Sequence, residues 1–225
     1  MNGQRSIYLV WKQADHEKRY VVGRLTETDY VYYAFSYEPG NDLDEAHKKG
    51  FQGYPSFPLT NTKKIYDDGV IQSFALRLPA RTRIDFKHLL EFWEIKNSEI
   101  SDFDLLSITG GRLPTDNFEF IDPHLFKRPN KFLTYLAGFK YHADDSILRT
   151  LKNGVLVELE REPNNHHDQN AVKVIYMNNK IGYINRVHAA TLAAEMDSGK
   201  EVKASIKNVE ANGVIYSVLL RIELS

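Results

Sequence analysis

The sequence predicts an α+β protein, mostly β, divided into a β-rich N-terminal module and a small, partly open C-terminal barrel interrupted by one helix. Three observations carry this. Short runs rich in Val, Ile, Tyr and Phe recur between polar turn segments. Helical periodicity is confined to a few short stretches. The segment DPHLFKRPNK (122–131), with two prolines and three Lys or Arg, marks a change of character between the halves. Domains are therefore expected at 1–123 and 131–225, joined by a linker at 124–130.

Residues 6–11, 19–26 and 30–37 read as strands of an antiparallel meander. The rings of Tyr30, Tyr32, Tyr33, Phe35 and Tyr37 are more simply a sheet face packed on a core than a base-stacking platform. A short helix follows over 42–49, with Asp42 and Asp44 near its start and Lys48 and Lys49 near its end, as the helix dipole favours. Gly and Pro exclude a long regular element from GFQGYPSFPL (50–59). Helices are expected at 61–75, at 84–96 and at 103–111, the last closed by glycine, and a strand at 117–121.

The second half predicts strands at 132–139, 155–161, 171–176, 180–184, 202–209 and 214–222. A helix at 187–197 places Val187, Ala190, Leu192, Ala194 and Met196 at apolar positions and stops at Gly199. Asn178-Asn179 and Asn212-Gly213 are the expected hairpin turns. Six short strands and one helix suit a small barrel.

Composition narrows function by exclusion. The 225 residues include no cysteine, so disulfides, thiol catalysis and cysteine-held zinc or iron–sulfur clusters have no ligands here. No apolar run reaches membrane-spanning length and the N-terminus lacks a signal-peptide pattern, which makes the cytoplasm the expected compartment. The net charge of −1 hides an asymmetry: residues 1–125 carry 15 Lys and Arg against 19 Asp and Glu, and residues 126–225 carry 14 against 11. A mildly basic second half is compatible with nucleic acid. Phosphate loops, dinucleotide fingerprints, kinase motifs and the GxSxG elbow are all missing, so no enzyme and no cofactor is expected.

The densest polar cluster is EREPNNHHDQNAVKV (160–174). Pro163 and Asn164 start a turn that Asp168 or Asn170 can close through side chain–backbone bonds. His166 and His167 are adjacent, point opposite ways on extended backbone, and so make a poor metal pair. No metal is expected. An enzyme of another class, a metal-dependent nuclease using His142, His166 and Asp168, is the alternative reading, and a protein–protein scaffold without DNA binding is a third.

The stretches LAGFKYH (136–142), LEREPNNHHDQNAVKV (159–174) and KIGYINRVHAATLAAEMDSG (180–199) resemble the HIRAN domain in order, spacing and intervening length, over about residues 131–225. That resemblance implies an OB-like barrel with a helical insertion that grips the 3′ end of single-stranded DNA. It assigns DNA contacts to Lys140 and Tyr141 on the first strand, the terminal nucleotide to Asn165, His167 and Asp168, and phosphate to Arg186. His167 stands where a DNA-end binder has Tyr, and Lys140 where it has Arg.

The N-terminal stretches VVGRLT (21–26), YYAFSYEPG (32–40), GYPSFPL (53–59) and FDLLSITGGRLPTDNFEFIDP (103–123) resemble the first subdomain of HipA-type toxins, with an insertion near 60–100. The kinase core of such toxins is absent from this sequence. The resemblance implies an antitoxin-like module that binds a HipA-like kinase-core protein, with Tyr54, Phe57, Phe92 and Trp93 as candidate anchors in an exposed apolar patch.

Overall fold

A computed structural model describes residues 4–13, 18–28, 32–124, 131–212 and 215–225. The chain divides into two compact units, Met1–Asp122 and Pro123–Ser225. Apart from His124, the expected linker at 124–130 lies outside the described residues, as do Tyr30 and Gly213 of the expected third strand and last turn.

In the first unit, β1 (Arg5–Lys12), β2 (Arg19–Thr28) and β3 (Tyr32–Tyr37) form the expected meander. With β6 (Ile65–Tyr66) and β7 (Phe118–Ile121) they make an antiparallel sheet of order β6-β3-β2-β1-β7. Alternation sends Ile7, Leu9, Tyr20, Phe35 and Tyr37 into one core with Phe51, Phe74 and Phe103. Phe35 and Tyr37 of the third strand are thus core packing and Tyr33 packs partly against them, whereas Tyr32 is 49% exposed. The helices are α1 (Asn41–Lys48), α2 (Val70–Ala75), α3 (Phe86–Phe92) and α4 (Asp102–Thr109). Ser101 caps α4 by accepting from the Asp104 N–H, and Gly110 follows its last residue.

The expected helix at 61–75 is corrected. Its first half is a turn followed by the two-residue strand β6, whose Ile65 and Tyr66 pair with Ser36 and Phe35 on β3. Only the part after the Asp67–Gly69 turn is helical. GFQGYPSFPL holds two paired two-residue strands, β4 (Gly53–Tyr54) and β5 (Phe57–Pro58). The buried Tyr37 hydroxyl accepts from the Tyr54 N–H at 2.7 Å and donates to the Phe57 carbonyl, which pins this ribbon.

Buried charge supplies the remaining long-range ties. Arg77, with its side chain 2% exposed, donates to the Gly111 and Phe118 carbonyls at 2.8 Å and forks onto both oxygens of Asp116. Glu27, on the inward side of β2, is bound by Arg5 and by the Tyr33 hydroxyl, while Arg5 also reaches Asp104 of α4 at 2.7 Å. Burial beside Glu27 pushes the Tyr33 phenol up to about 12.

The second unit is a barrel, and it is closed where the sequence suggested a partly open one. Strands β8 (Lys131–Ala137), β9 (Leu156–Arg161), β10 (Val172–Tyr176), β11 (Asn179–Ile184), β12 (Val202–Ala211) and β13 (Ile215–Leu224) run round it in the order β10-β11-β8-β13-β12-β9. The β9–β10 pairing completes the ring, so the barrel has no free edge. Phe132, Leu136, Val172, Val174, Ile181, Leu192, Ile206, Val218 and Leu220 fill its core. Helix α7 (Arg186–Asp197) contributes Leu192 to that core, and Asn185 caps it by accepting from the Val187 N–H.

Two local expectations shift. The first hairpin turn is Met177-Asn178, both at positive φ (49° and 62°), and Asn179 already pairs with Tyr176. Two residues in that conformation match a type I′ turn. Strand β8 stops at Ala137 because Gly138 turns left-handed (φ 69°), and helical turns α5 (Phe139–His142) and α6 (Asp145–Leu148) follow. Lys140 and Tyr141 therefore sit on a helical turn and not on the first strand.

Candidate nucleic-acid interface

The loop between β9 and β10 is ordered by its own side chains. Asn165 Oδ1 accepts from the backbone N–H groups of His167 (2.9 Å) and Asp168 (3.2 Å), and Asp168 Oδ1 accepts from that of Asn170 (2.8 Å). These successive Asx turns bend a segment that Pro163 has already taken out of the ladder. Backbone bonds from Glu162 N to Ala171 O and from Asn165 N to Glu162 O close its base. Arg161 braces it from outside, donating to the Gln169 and Ala171 carbonyls and to both carboxylate oxygens of Asp197 at the end of α7. Asn165 and Asp168 are thus turn-formers, while the His166 and His167 rings stand exposed.

Tyr183 joins this loop to the rest of the site. Its hydroxyl donates to Glu162 Oε2 at 2.8 Å and accepts from Lys180 Nζ at 3.0 Å, and its ring meets the His142 ring edge-on at 5.1 Å between centroids. Asn165 Nδ2 donates to the same Glu162 oxygen. The sequence reading passed over Glu162, Lys180 and Tyr183. What brings Lys180 and Tyr183 together is a β-bulge: Lys173, Val174 and Ile175 face Tyr183, Gly182 and Lys180, leaving Ile181 extra. The extra residue resets the inward–outward alternation, so two side chains three apart share one face. The glycine before Tyr183 was the available signal. A Cβ at Gly182 would lie 2.6 Å from the Ala137 carbonyl, at φ 153°, so only glycine allows β11 this close to β8.

The electrostatics follow from these contacts. Hydrogen bonds from Asn165 and Tyr183 hold the Glu162 carboxyl below its ordinary range, and desolvation together with the charge of Lys180 lowers the His142 imidazole. Through His142, the cluster also places the α5 turn, which carries exposed Lys140 and Tyr141, the latter 65% exposed. Arg186, also exposed, opens α7 two residues beyond β11.

No three of His, Cys, Asp and Glu gather as metal ligands among the described residues. Of the three side chains in the nuclease alternative, His142 packs edge-on against Tyr183 and Asp168 holds its own turn. No helix among the described residues is long and apolar enough to cross a membrane.

The structure corrects half of the expected partner patch on the first unit. Tyr54 and Phe57 are 7% and 3% exposed and interlock with Phe74, so they are core residues and cannot anchor a partner. Phe92 (37% exposed) and Trp93 remain at the surface, packed edge-to-face on each other at 5.6 Å.

A small closed barrel whose outer wall carries a self-ordered polar loop, a helical turn with an exposed ring and surface cations is the architecture of a binding module. Residues 130–225 match the HIRAN domain family, and the second unit is a HIRAN domain. Among curated proteins, helicase-like transcription factor from Oryctolagus cuniculus is 35% identical over 91 residues, and that from Homo sapiens 32% over 91. Each match covers 38% of this chain and 8% of the relative's length. The Mus musculus protein is 39% identical over 64 residues, 28% of this chain and 6% of its own. Among solved structures, the HIRAN domain of human HLTF aligns with a TM-score of 0.36 at 26% identity, covering 42% of this chain and 74% of that one. A Lactobacillus plantarum protein aligns at 0.35 and 30% identity, covering 40% and 91%.

Proposed function

We propose that the HIRAN unit binds single-stranded DNA and seats its 3′ end on the loop ordered by Asn165. The observation that carries this reading is the Tyr183 cluster, which ties that loop to the α5 turn of Lys140 and Tyr141 within the stretch that matches the family. Tyr141 and His167 stack the last bases, and Lys140 and Arg186 meet phosphates. Asp168 uses Oδ1 for its turn, and Oδ2 accepts the terminal 3′-hydroxyl. A 3′-phosphate would set like charge against that carboxylate. Fluorescence anisotropy with matched 3′-hydroxyl and 3′-phosphate oligonucleotides tests this. The hydroxyl end binds more tightly, Asp168→Ala reduces that preference more than overall affinity, and Arg186→Ala weakens both ends alike. Equal binding of the two ends by the unmodified protein would overturn the reading.

For the first unit, the surface pair Phe92 and Trp93 supports a narrower second reading, contact with a HipA-like kinase-core protein. Co-purification of such a protein that is lost on Phe92→Ala with Trp93→Ala would support it. Unchanged co-purification would remove those anchors.

A further inference from the structure

The HIRAN unit has a cavity of about 550 Å³ that shares no residue with the interface above. Leu148 and Leu151, from α6 and the segment after it, and Val209 and Ile215, from the facing ends of β12 and β13, give it an aliphatic lining. Arg149 and Lys152 stand exposed at its rim, and neither side chain makes a hydrogen bond or ion pair among the described residues. Asp145 shares the rim without pairing with either.

We propose that this cavity docks an acidic peptide segment of a partner protein through one apolar anchor side chain. Its volume falls within the range of roughly 300–1,000 Å³ usual for ligand sites. A lining of aliphatic side chains around two polar, charged ends suits a Leu or Phe flanked by carboxylates. Arg149 offers a planar fork and Lys152 a point charge, both of which carboxylates satisfy. Among the described residues no ring lines the cavity, so they offer a nucleobase no stacking partner, and this favours peptide over nucleic acid. The site would give the protein a protein partner while DNA occupies the other surface.

The test uses the full chain and a fluorescein-labelled peptide of Asp and Glu with a central Leu-Phe pair, followed by anisotropy. The peptide binds saturably, and replacing Leu-Phe by Ser-Ser abolishes binding. Arg149→Glu with Lys152→Glu, both at exposed positions, leaves the melting temperature unchanged and weakens the peptide by about tenfold or more. Tyr141→Ala and Arg186→Ala leave peptide binding intact, which separates this site from the DNA reading. No saturable binding, or equal binding by the charge-reversed protein, would overturn the proposal. So would displacement of the peptide by an oligothymidylate whose own affinity falls on charge reversal, an outcome that assigns the cavity to nucleic acid.

Discussion

Truncating Asn165 is the sharpest perturbation of the HIRAN surface, because one side chain orders the loop and also reaches the Tyr183 cluster. Asn165→Ala removes an acceptor shared by the N–H groups of His167 and Asp168 and a donor to Glu162. Each such bond contributes about 1 kcal/mol net, and less where water replaces it, as it can at exposed His167. The expected loss is therefore about 1–2 kcal/mol. For a unit of this size that lowers the melting temperature by roughly 5–10 °C. The same loss of loop order is expected to weaken 3′-end binding by about tenfold, since about 1.4 kcal/mol must be recovered on binding. Asn165→Asp separates the two roles: it keeps the acceptor but sets a second carboxylate beside Glu162. It should be the less stable variant at neutral pH, and the gap should close as pH falls through the ordinary carboxylate range near 4–4.5. Calorimetry and anisotropy on both variants check this. An unchanged melting temperature and unchanged affinity in Asn165→Ala would refute the account of the loop.

Three further outcomes follow from geometry. His142 titrates below its ordinary value of 6.5 in the folded unit, so the unfolded chain takes up its proton first. Its contribution is complete above pH 6.5 and fades as pH falls toward the lowered value; melting curves of His142→Gln should be flatter across that window. Arg77→Ala strands the Gly111 and Phe118 carbonyls and leaves partly buried Asp116 without its ion-pair partner, held among the described residues only by the Phe118 N–H. It should cost the first unit about 3 kcal/mol and leave the HIRAN transition in place, as two-step calorimetry would show. Gly182→Ala forces β11 away from β8, and faster amide exchange at Tyr183 and Ile184 should report it.

Much of the fold could be read because most strands carry β-branched or aromatic runs with clear turn residues between them. The failures have local causes. Ile65-Tyr66 lies next to a helical pattern, and only its pairing with β3 makes it a strand. Gly138 ends β8 two residues before the expected boundary and converts FKYH to a helical turn, a choice made by left-handed backbone that no periodicity reports. Tyr54 and Phe57 were expected as surface anchors because a toxin subdomain would bury such a patch against its kinase core; two short paired strands carry them into this unit's own core instead. At the site, the PNNHHD loop stood out through its turn chemistry. Glu162, Lys180 and Tyr183 did not, because their meeting depends on one extra residue in β11.

The ring closure of the barrel also sets a schedule for its synthesis. Strand β13 pairs along β8, with Glu223 opposite Lys131 and Leu219 opposite Tyr135, so the first strand to leave the ribosome waits for the last. Until residues 215–224 emerge, one flank of β8 has unsatisfied amides and the core lacks Val218, Leu220 and Ile222. In the first unit β1 likewise waits for β7, but that sheet is complete by Ile121, about a hundred residues earlier in the chain. Vectorial folding should therefore yield a structured amino-terminal half well before the second half becomes protease-resistant, with a nascent β8 that depends on chaperones in the interval.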